Sequence, residues 1–396
     1  MNDKTIFIHI GLEKTGTTSI QNFLFHNAEQ LQRKSIFYPT ILGENQTSLC
    51  IYAGQTKYIG SLASENREVE IKRELPQTIK SIINNFEKSN CKNLVFSNEH
   101  LSSRLKDSND IKNLKELFEP YIYPIKIVIY VRNQVDLIES LYFESIKAGG
   151  NNKLSDWANN FTYFELDLIK MLGEWESVFG QGSIIVRLFD RNTLKNGDAI
   201  DDFLNLLSVK NDEIFTRNNN LNTSLGYKSI EFMRIYNSHV NVSEQITYKL
   251  NNLLSDYGND KQKITLPHDN RINIFKQYKT SNHEFLKKYL PEISYDFFTK
   301  TSRKPQEQEL TEDTLWDIIN HIINKKVSFN NNQQLEQQLK QKQSEINTLL
   351  ENPWYRFGLM STKRKIWTIG KVVSKKLKLY WLLRPIARLL KNILGK

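Results

Sequence analysis

Four short runs of the chain are apolar at nearly every position. They are Thr5–Ile10 (TIFIHI), Asn93–Ser97 (NLVFS), Lys126–Val131 (KIVIYV) and Ser183–Leu188 (SIIVRL). Each is rich in β-branched or aromatic residues, and each is followed by a loop and then by apolar residues at helical spacing. That pattern predicts strands buried on both faces. Strands alternating with helices predict an α/β fold, with a parallel sheet flanked by helices, over residues 1–300. In such sheets ligands bind beyond the carboxyl ends of the strands. Candidate chemistry therefore belongs at those ends.

The pattern changes in the last third of the chain. Residues 225–300 read as mostly helical, for example over Tyr227–Tyr236 and His283–Tyr289. Residues 301–329 read as a polar linker ending in a short amphipathic helix, Leu315–Ile323 (LWDIINHII). Over 330–352, Leu335, Leu339, Ile346 and Leu349 fit heptad core positions, with Lys342 breaking the series. A coiled coil that joins copies of the chain and a solvated helical spacer both fit this stretch. Residues 353–396 form an amphipathic C-terminal extension.

Composition sharpens this division. The chain has 396 residues, 39% of them hydrophobic, and a formal net charge of +10. Twelve of its 54 Lys and Arg, and none of its 44 Asp and Glu, lie between Pro353 and Lys396, so residues 1–352 carry a net charge of −2. A nearly neutral body is not the footprint of a nucleic-acid-binding protein, whereas the tail calls for an anionic partner. Two cysteines, Cys50 and Cys91, fit a reducing compartment. The opening Met1-Asn2-Asp3-Lys4 has no secretory pattern, and no run reaches the ~18 apolar residues of a spanning helix.

The stretch IFIHI-GLEKTGTTS-IQNFL carries the clearest chemical signal. Gly11 and Gly16 bracket a tight loop after the first strand, and Thr17, Thr18 and Ser19 open a helix with Ile20, Phe23 and Leu24 on one face. Glycines let backbone approach an anion, and a helix N-terminus offers unpaired N–H groups and a positive dipole end. This is a P-loop-like phosphate-binding loop. It departs from G-x-x-x-x-G-K-[ST], because Thr17 stands at the lysine position and the lysine lies inside the loop at Lys14. That displacement argues against a magnesium-dependent triphosphate enzyme.

The residues Lys14-Thr15-Gly16-Thr17-Thr18 resemble the K-[ST]-G-T-T signature of sulfotransferases that use 3′-phosphoadenosine 5′-phosphosulfate (PAPS), and HIGLEKTGTTSIQ is similar to the opening of bacterial carbohydrate-type members. The family's second signature, an Arg at a strand end and a Ser about eight residues on, is matched by Arg132 and Ser140. A guanidinium there suits bidentate phosphate binding. The resemblance implies that Gly11, Lys14, Thr15, Gly16, Thr17, Thr18, Ser19, Arg132 and Ser140 bind the co-substrate. Arg217 and the run Asn222-Thr223-Ser224-Leu225 resemble a further element, in which Arg217 closes over the nucleotide or is simply a surface residue. The resemblance covers residues 4–235.

Sulfuryl transfer to a hydroxyl needs a stabilised leaving phosphate and a base for the acceptor proton. Lys14 suits the first task. For the second, the run after Ser97, Asn98-Glu99-His100, offers two candidates. Glu99 matches the Glu that carbohydrate sulfotransferases use at this strand end, and His100 is the alternative. His9, within the first strand, reads as structural. No metal-ligand spacing occurs, and the expectation is a reaction without metal. The resemblance implies a glycan acceptor, from a surface polysaccharide or its lipid-linked precursor, and the segments Gly43–Glu68 and Ala148–Trp157 are the expected acceptor loops. A P-loop nucleotide kinase and a non-catalytic assembly protein are the competing readings.

In the tail, Trp354, Tyr355, Phe357, Trp367, Tyr380 and Trp381 interleave with the twelve cations, and Ile366, Ile369, Val373, Leu377 and Tyr380 follow helical spacing. Basic, aromatic amphipathic helices lie in membrane interfaces. An anionic membrane surface is the favoured partner, ahead of a protein or a nucleic acid, which places the protein at the cytoplasmic face of the cell membrane. The stretch also resembles the tails of bacterial polysaccharide glycosyltransferases (W-Y-R-F-G, then R-P-I-x-R-L-L).

Overall fold

The computed structural model describes residues 4–325, apart from 56–62, 162–165, 210–213, 218–224, 240–243, 256, 258–264, 300–309, 312, 316 and 323. The predicted coiled coil, the basic tail, most of the linker and Asn222-Thr223-Ser224 lie outside the described residues. The chain divides into two units, 1–319 and 320–396. Helical backbone is present at 313–315, 317–322 and 324–325, where Ile318 is buried.

A five-stranded sheet forms the centre of the first unit. Its strands are β1 (Thr5–His9), β2 (Ile36–Phe37), β3 (Asn93–Ser97), β4 (Ile125–Val131) and β5 (Ile184–Leu188), in the order β2-β3-β1-β4-β5. All pairings are parallel. Four strands fall where apolar runs predict them. The fifth, β2, is a correction to the sequence reading. It is only two residues long and pairs with β3 alone, so it leaves no periodic trace. Burial explains the apolar runs: Ile6, Ile8, Leu94, Val95, Phe96 and every residue from Ile127 to Val131 are fully covered. Parallel strands buried on both faces exclude alternation with polar residues.

Helices flank this sheet. The helix α1 (Thr17–His26) buries Ile20, Phe23 and Leu24 in the cluster that includes Val95, Val128 and Phe203. After it come α2 (Glu65–Lys88), α3 (His100–Arg104), α4 (Gln134–Lys147), α5 (Leu168–Phe179) and α6 (Ala199–Leu206). Two later helices, α7 (Tyr227–His239) and α8 (His268–Tyr289), extend beyond the predicted segments. The helix α4 is fixed at its start by Asn133, whose side-chain Oδ1 accepts from the backbone N–H groups of Val135 and Asp136 and whose Nδ2 donates to the carbonyls of Phe297 and Phe298. A buried ion pair between Glu139 and Arg271 (3.2 Å) ties α4 to α8. The strand order brings the carboxyl ends of β3, β1 and β4 side by side, and the α4 register then decides which of its residues face that edge.

Candidate active site

The loop after β1 is shaped by three backbone positions with positive φ. Gly11 (φ 88°) crosses the end of β3, and a Cβ there would come within 2.7 Å of Glu99 Cα. Gly16 (φ 78°) starts α1, and a Cβ there would meet Phe189 and Ala199 at 3.1 Å. Lys14 (φ 66°) also adopts the left-handed conformation, although it carries a side chain. That costs about 1–2 kcal/mol and is the kind of strain kept at functional sites. The buried Thr15 turns its hydroxyl back to the Leu12 carbonyl (2.5 Å) and so closes the loop from inside. No side chain caps α1. Its first-turn N–H groups, which have no partner within the helix, and the positive dipole end are chemically suited to an anion.

The end of β4 and the face of α4 build the opposite wall. Arg132 Nη1 donates to the Lys14 carbonyl (3.0 Å), which locks the loop to β4, and the guanidinium lies 5.7 Å from the centre of the Phe189 ring. Along α4, Asp136, Ser140, Phe143, Glu144 and Lys147 line one cavity, as spacings of three and four on a helix require. Glu144 Oε1 lies 2.7 Å from Lys14 Nζ and 3.2 Å from Lys147 Nζ. Burial pushes the Glu144 carboxyl up, but Lys14 and then Lys147 outweigh it and hold the group below the usual carboxylate range.

The end of β3 supplies acid–base groups in a different setting. Glu99 Oε2 accepts from Gln21 Nε2 (2.6 Å), and Oε1 accepts from Asn45 Nδ2 (3.3 Å). Asn98 in turn anchors Asn45 through its backbone and side-chain oxygens. His100 belongs to another cluster. Its Nδ1 is 3.5 Å from Glu13 Oε1, too long for a well-formed hydrogen bond, and Arg104 is 3.7 Å from the same oxygen. Burial raises the Glu13 pKa, but His100, Ser103 and Arg104 together leave it lowered. His9 is wholly buried, shares a hydrogen bond with Ser97 (2.8 Å) and packs against Tyr130 and Phe203. Burial drops its pKa to about 3, so the ring is neutral in the fold.

These elements enclose a cavity of about 1120 Å³. No family profile matches the chain. An uncharacterized protein of Archaeoglobus fulgidus is 29% identical over 195 residues, which is 46% of this chain and 53% of that one. The chain thus spans about half the length of the curated relative it matches. Among solved structures, a sulfotransferase from Alicyclobacillus acidocaldarius superposes with a TM-score of 0.42 at 12% identity, over 75% of this chain and 99% of that one. That overlap is too loose to establish a common fold.

Of the residues singled out in the sequence, Lys14, Gly16, Thr17, Thr18, Glu99, His100, Arg132, Ser140 and Leu225 line the cavity. Gly11, Thr15, Ser19 and Arg217 do not. Gly11 and Thr15 shape the loop, and Arg217 pairs with Asp198 (3.3 Å) and with Asp201. Of the two expected acceptor loops, the first reaches Glu99 through Asn45, while no residue of 148–157 lines the cavity. Sequence reasoning missed Glu13, Glu144, Lys147 and the wall formed by Phe189–Asn192 and Asp198. Glu144 had a usable signal, because it lies one helical turn beyond Ser140; the 189–198 wall had none. Among the described residues no group of three or more His, Cys, Asp or Glu is arranged to hold a metal ion, and no helix is long and apolar enough to cross a membrane.

Proposed function

We propose that the chain is a sulfotransferase that moves a sulfuryl group from PAPS to a hydroxyl of a glycan. The observation that carries this reading is one cavity that joins an uncapped helix N-terminus with Lys14, Arg132 and Ser140 on one side and Glu99 on the other. The loop and α4 residues fit an anionic nucleotide: N–H groups and the hydroxyls of Thr17 and Thr18 donate, and Arg132 adds a fixed positive charge. The bound donor supplies an activated sulfuryl group whose leaving group is a phosphate. Lys14 neutralises charge in the loop, while Gly16 and Arg132 hold the loop backbone in place. Glu99 takes the acceptor proton, since two amides fix its orientation and a carboxylate retains further lone pairs. His100, which lies beside Glu13 and not beside the amides that hold Glu99, is the weaker candidate for that role.

The tail, by its sequence, anchors this activity at the cytoplasmic face of an anionic membrane, beside a lipid-linked or surface glycan, and the 330–352 stretch joins copies of the chain. Lys14→Ala is expected to abolish transfer from labelled PAPS to cell-surface glycans, and an unchanged rate would end the assignment. Deletion from Pro353 should release the protein from anionic vesicles while transfer to a soluble acceptor continues. Equal vesicle binding by both forms would reject the membrane role.

A further inference from the structure

The ammonium of Lys14 does not point into open solvent. It sits 2.7 Å from Glu144 Oε1, across the cavity on α4. Three facts make this contact more than an incidental surface pair. First, the Lys14 backbone is fixed, with φ at 66° and its carbonyl held by Arg132, so only the flexible side chain is able to move. Second, Lys147 already contacts the same Glu144 oxygen at 3.2 Å, so Glu144 keeps a partner when Lys14 leaves. Third, the pair is partly exposed, with side-chain exposures of 30% for Lys14 and 45% for Glu144. Ion pairs at that exposure are weak enough for an incoming anion to displace.

We infer that Glu144 is a positioning residue that occupies Lys14 until a multiply charged anion enters the loop and takes the ammonium from it. The inference rests on the reading of the loop as an anion site and adds an affinity threshold to it. Without Glu144, Lys14 would have no carboxylate within ion-pair distance among the described residues, and any small anion entering the loop would meet a free ammonium. With Glu144 in place, an anion must offer Lys14 more than one carboxylate does. A singly charged anion gains little by the exchange. A phosphate ester or sulfate with two negative charges gains more. Glu144 therefore lowers the affinity of every anion that must take Lys14, so weakly held singly charged anions no longer fill the loop while a dianion still does.

The test is calorimetric titration of the full chain with 3′,5′-adenosine bisphosphate and, separately, with inorganic sulfate. Glu144→Gln is expected to bind both about 2- to 5-fold more tightly than the wild type, the size of a half-exposed ion pair. Glu144→Asp should fall between the two. In a Lys14→Met background the gain from Glu144→Gln should vanish, because the competition is for Lys14. Equal or weaker binding by a folded Glu144→Gln protein, or a gain that persists without Lys14, overturns the inference. Should Glu144→Gln not fold, Glu144→Ala is read by the same criteria. If sulfate follows this pattern but the nucleotide never binds, the ion-pair exchange stands and the PAPS reading falls. If neither ligand binds any variant, both fall.

Discussion

Two carboxylates face the same cavity and are held in opposite ways. Glu99, at the end of β3, receives hydrogen bonds from two neutral amides, Gln21 and Asn45. Glu144, midway along α4, is held by two ammonium groups, Lys14 and Lys147. Amides orient a carboxylate without cancelling its charge, which leaves it able to take a proton. Lysines cancel the charge and turn the carboxylate into a counter-ion. The difference teaches that residue type does not assign a role here. The charge of the neighbours does, and on the proposed reading it separates Glu99 as base from Glu144 as counter-ion within one pocket.

The sharpest way to break this comparison is to neutralise each carboxylate in turn. Glu99→Gln should lower the transfer rate by about 10²–10⁴-fold, the usual worth of a general base, and leave adenosine bisphosphate affinity intact. Titration calorimetry beside a radiolabel transfer assay separates the two quantities. If Glu99→Gln keeps full activity, the contrast fails and another group is the base. Gly11→Ala tests whether the loop must pass so close to Glu99. A Cβ 2.7 Å from Glu99 Cα, at φ 88°, should cost about 3 kcal/mol in denaturant unfolding. A loss below about 1 kcal/mol would show that the two segments are free to separate.

Acid titration of the site has a background that must be removed first. The pKa of His9 falls from 6.5 to about 3 on folding, so the unfolded chain binds the extra proton between those values. Stability therefore decreases as pH falls below about 6.5, by about 2 kcal/mol at pH 5. His9→Asn, measured by thermal unfolding from pH 7 to 5, should flatten that slope, and an unchanged slope would place the titrating group elsewhere. The smallest effect is expected from Gln21→Leu. Loss of one amide from Glu99 should slow transfer about 10-fold, comparable to one hydrogen bond to a charged group, with little change in nucleotide affinity. If affinity falls instead, Gln21 serves the loop and not the base.

Much of the site's first half was legible because it is local. The spacing of Gly11, Lys14 and Gly16, the hydroxyls after them and the strand before them lie within fifteen residues, and Arg132 with Ser140 spans one strand end and two helical turns. His100 was read as an alternative base from its place beside Glu99, yet adjacent residues on a helix point to different sides, and His100 falls in the Glu13 and Arg104 cluster. Phe189 left no trace in the pattern, because its meaning depends on Gly16 and Arg132 arriving from other strands.

The sequence alone determined where the four longer strands and α1 form, since burial on both faces forces continuous apolar runs and a helix face forces a three-to-four spacing. It also placed the glycine-bounded loop and the uncapped start of α1 after β1, because both are set by residues adjacent in the chain. Only the tertiary structure decided the partners. The order β2-β3-β1-β4-β5 sets Glu99 against Gly11 and Gln21, and the α4 register sets Glu144 against Lys14, 130 positions away. Such pairings depend on which strand ends adjoin, and no local pattern in a chain carries that information.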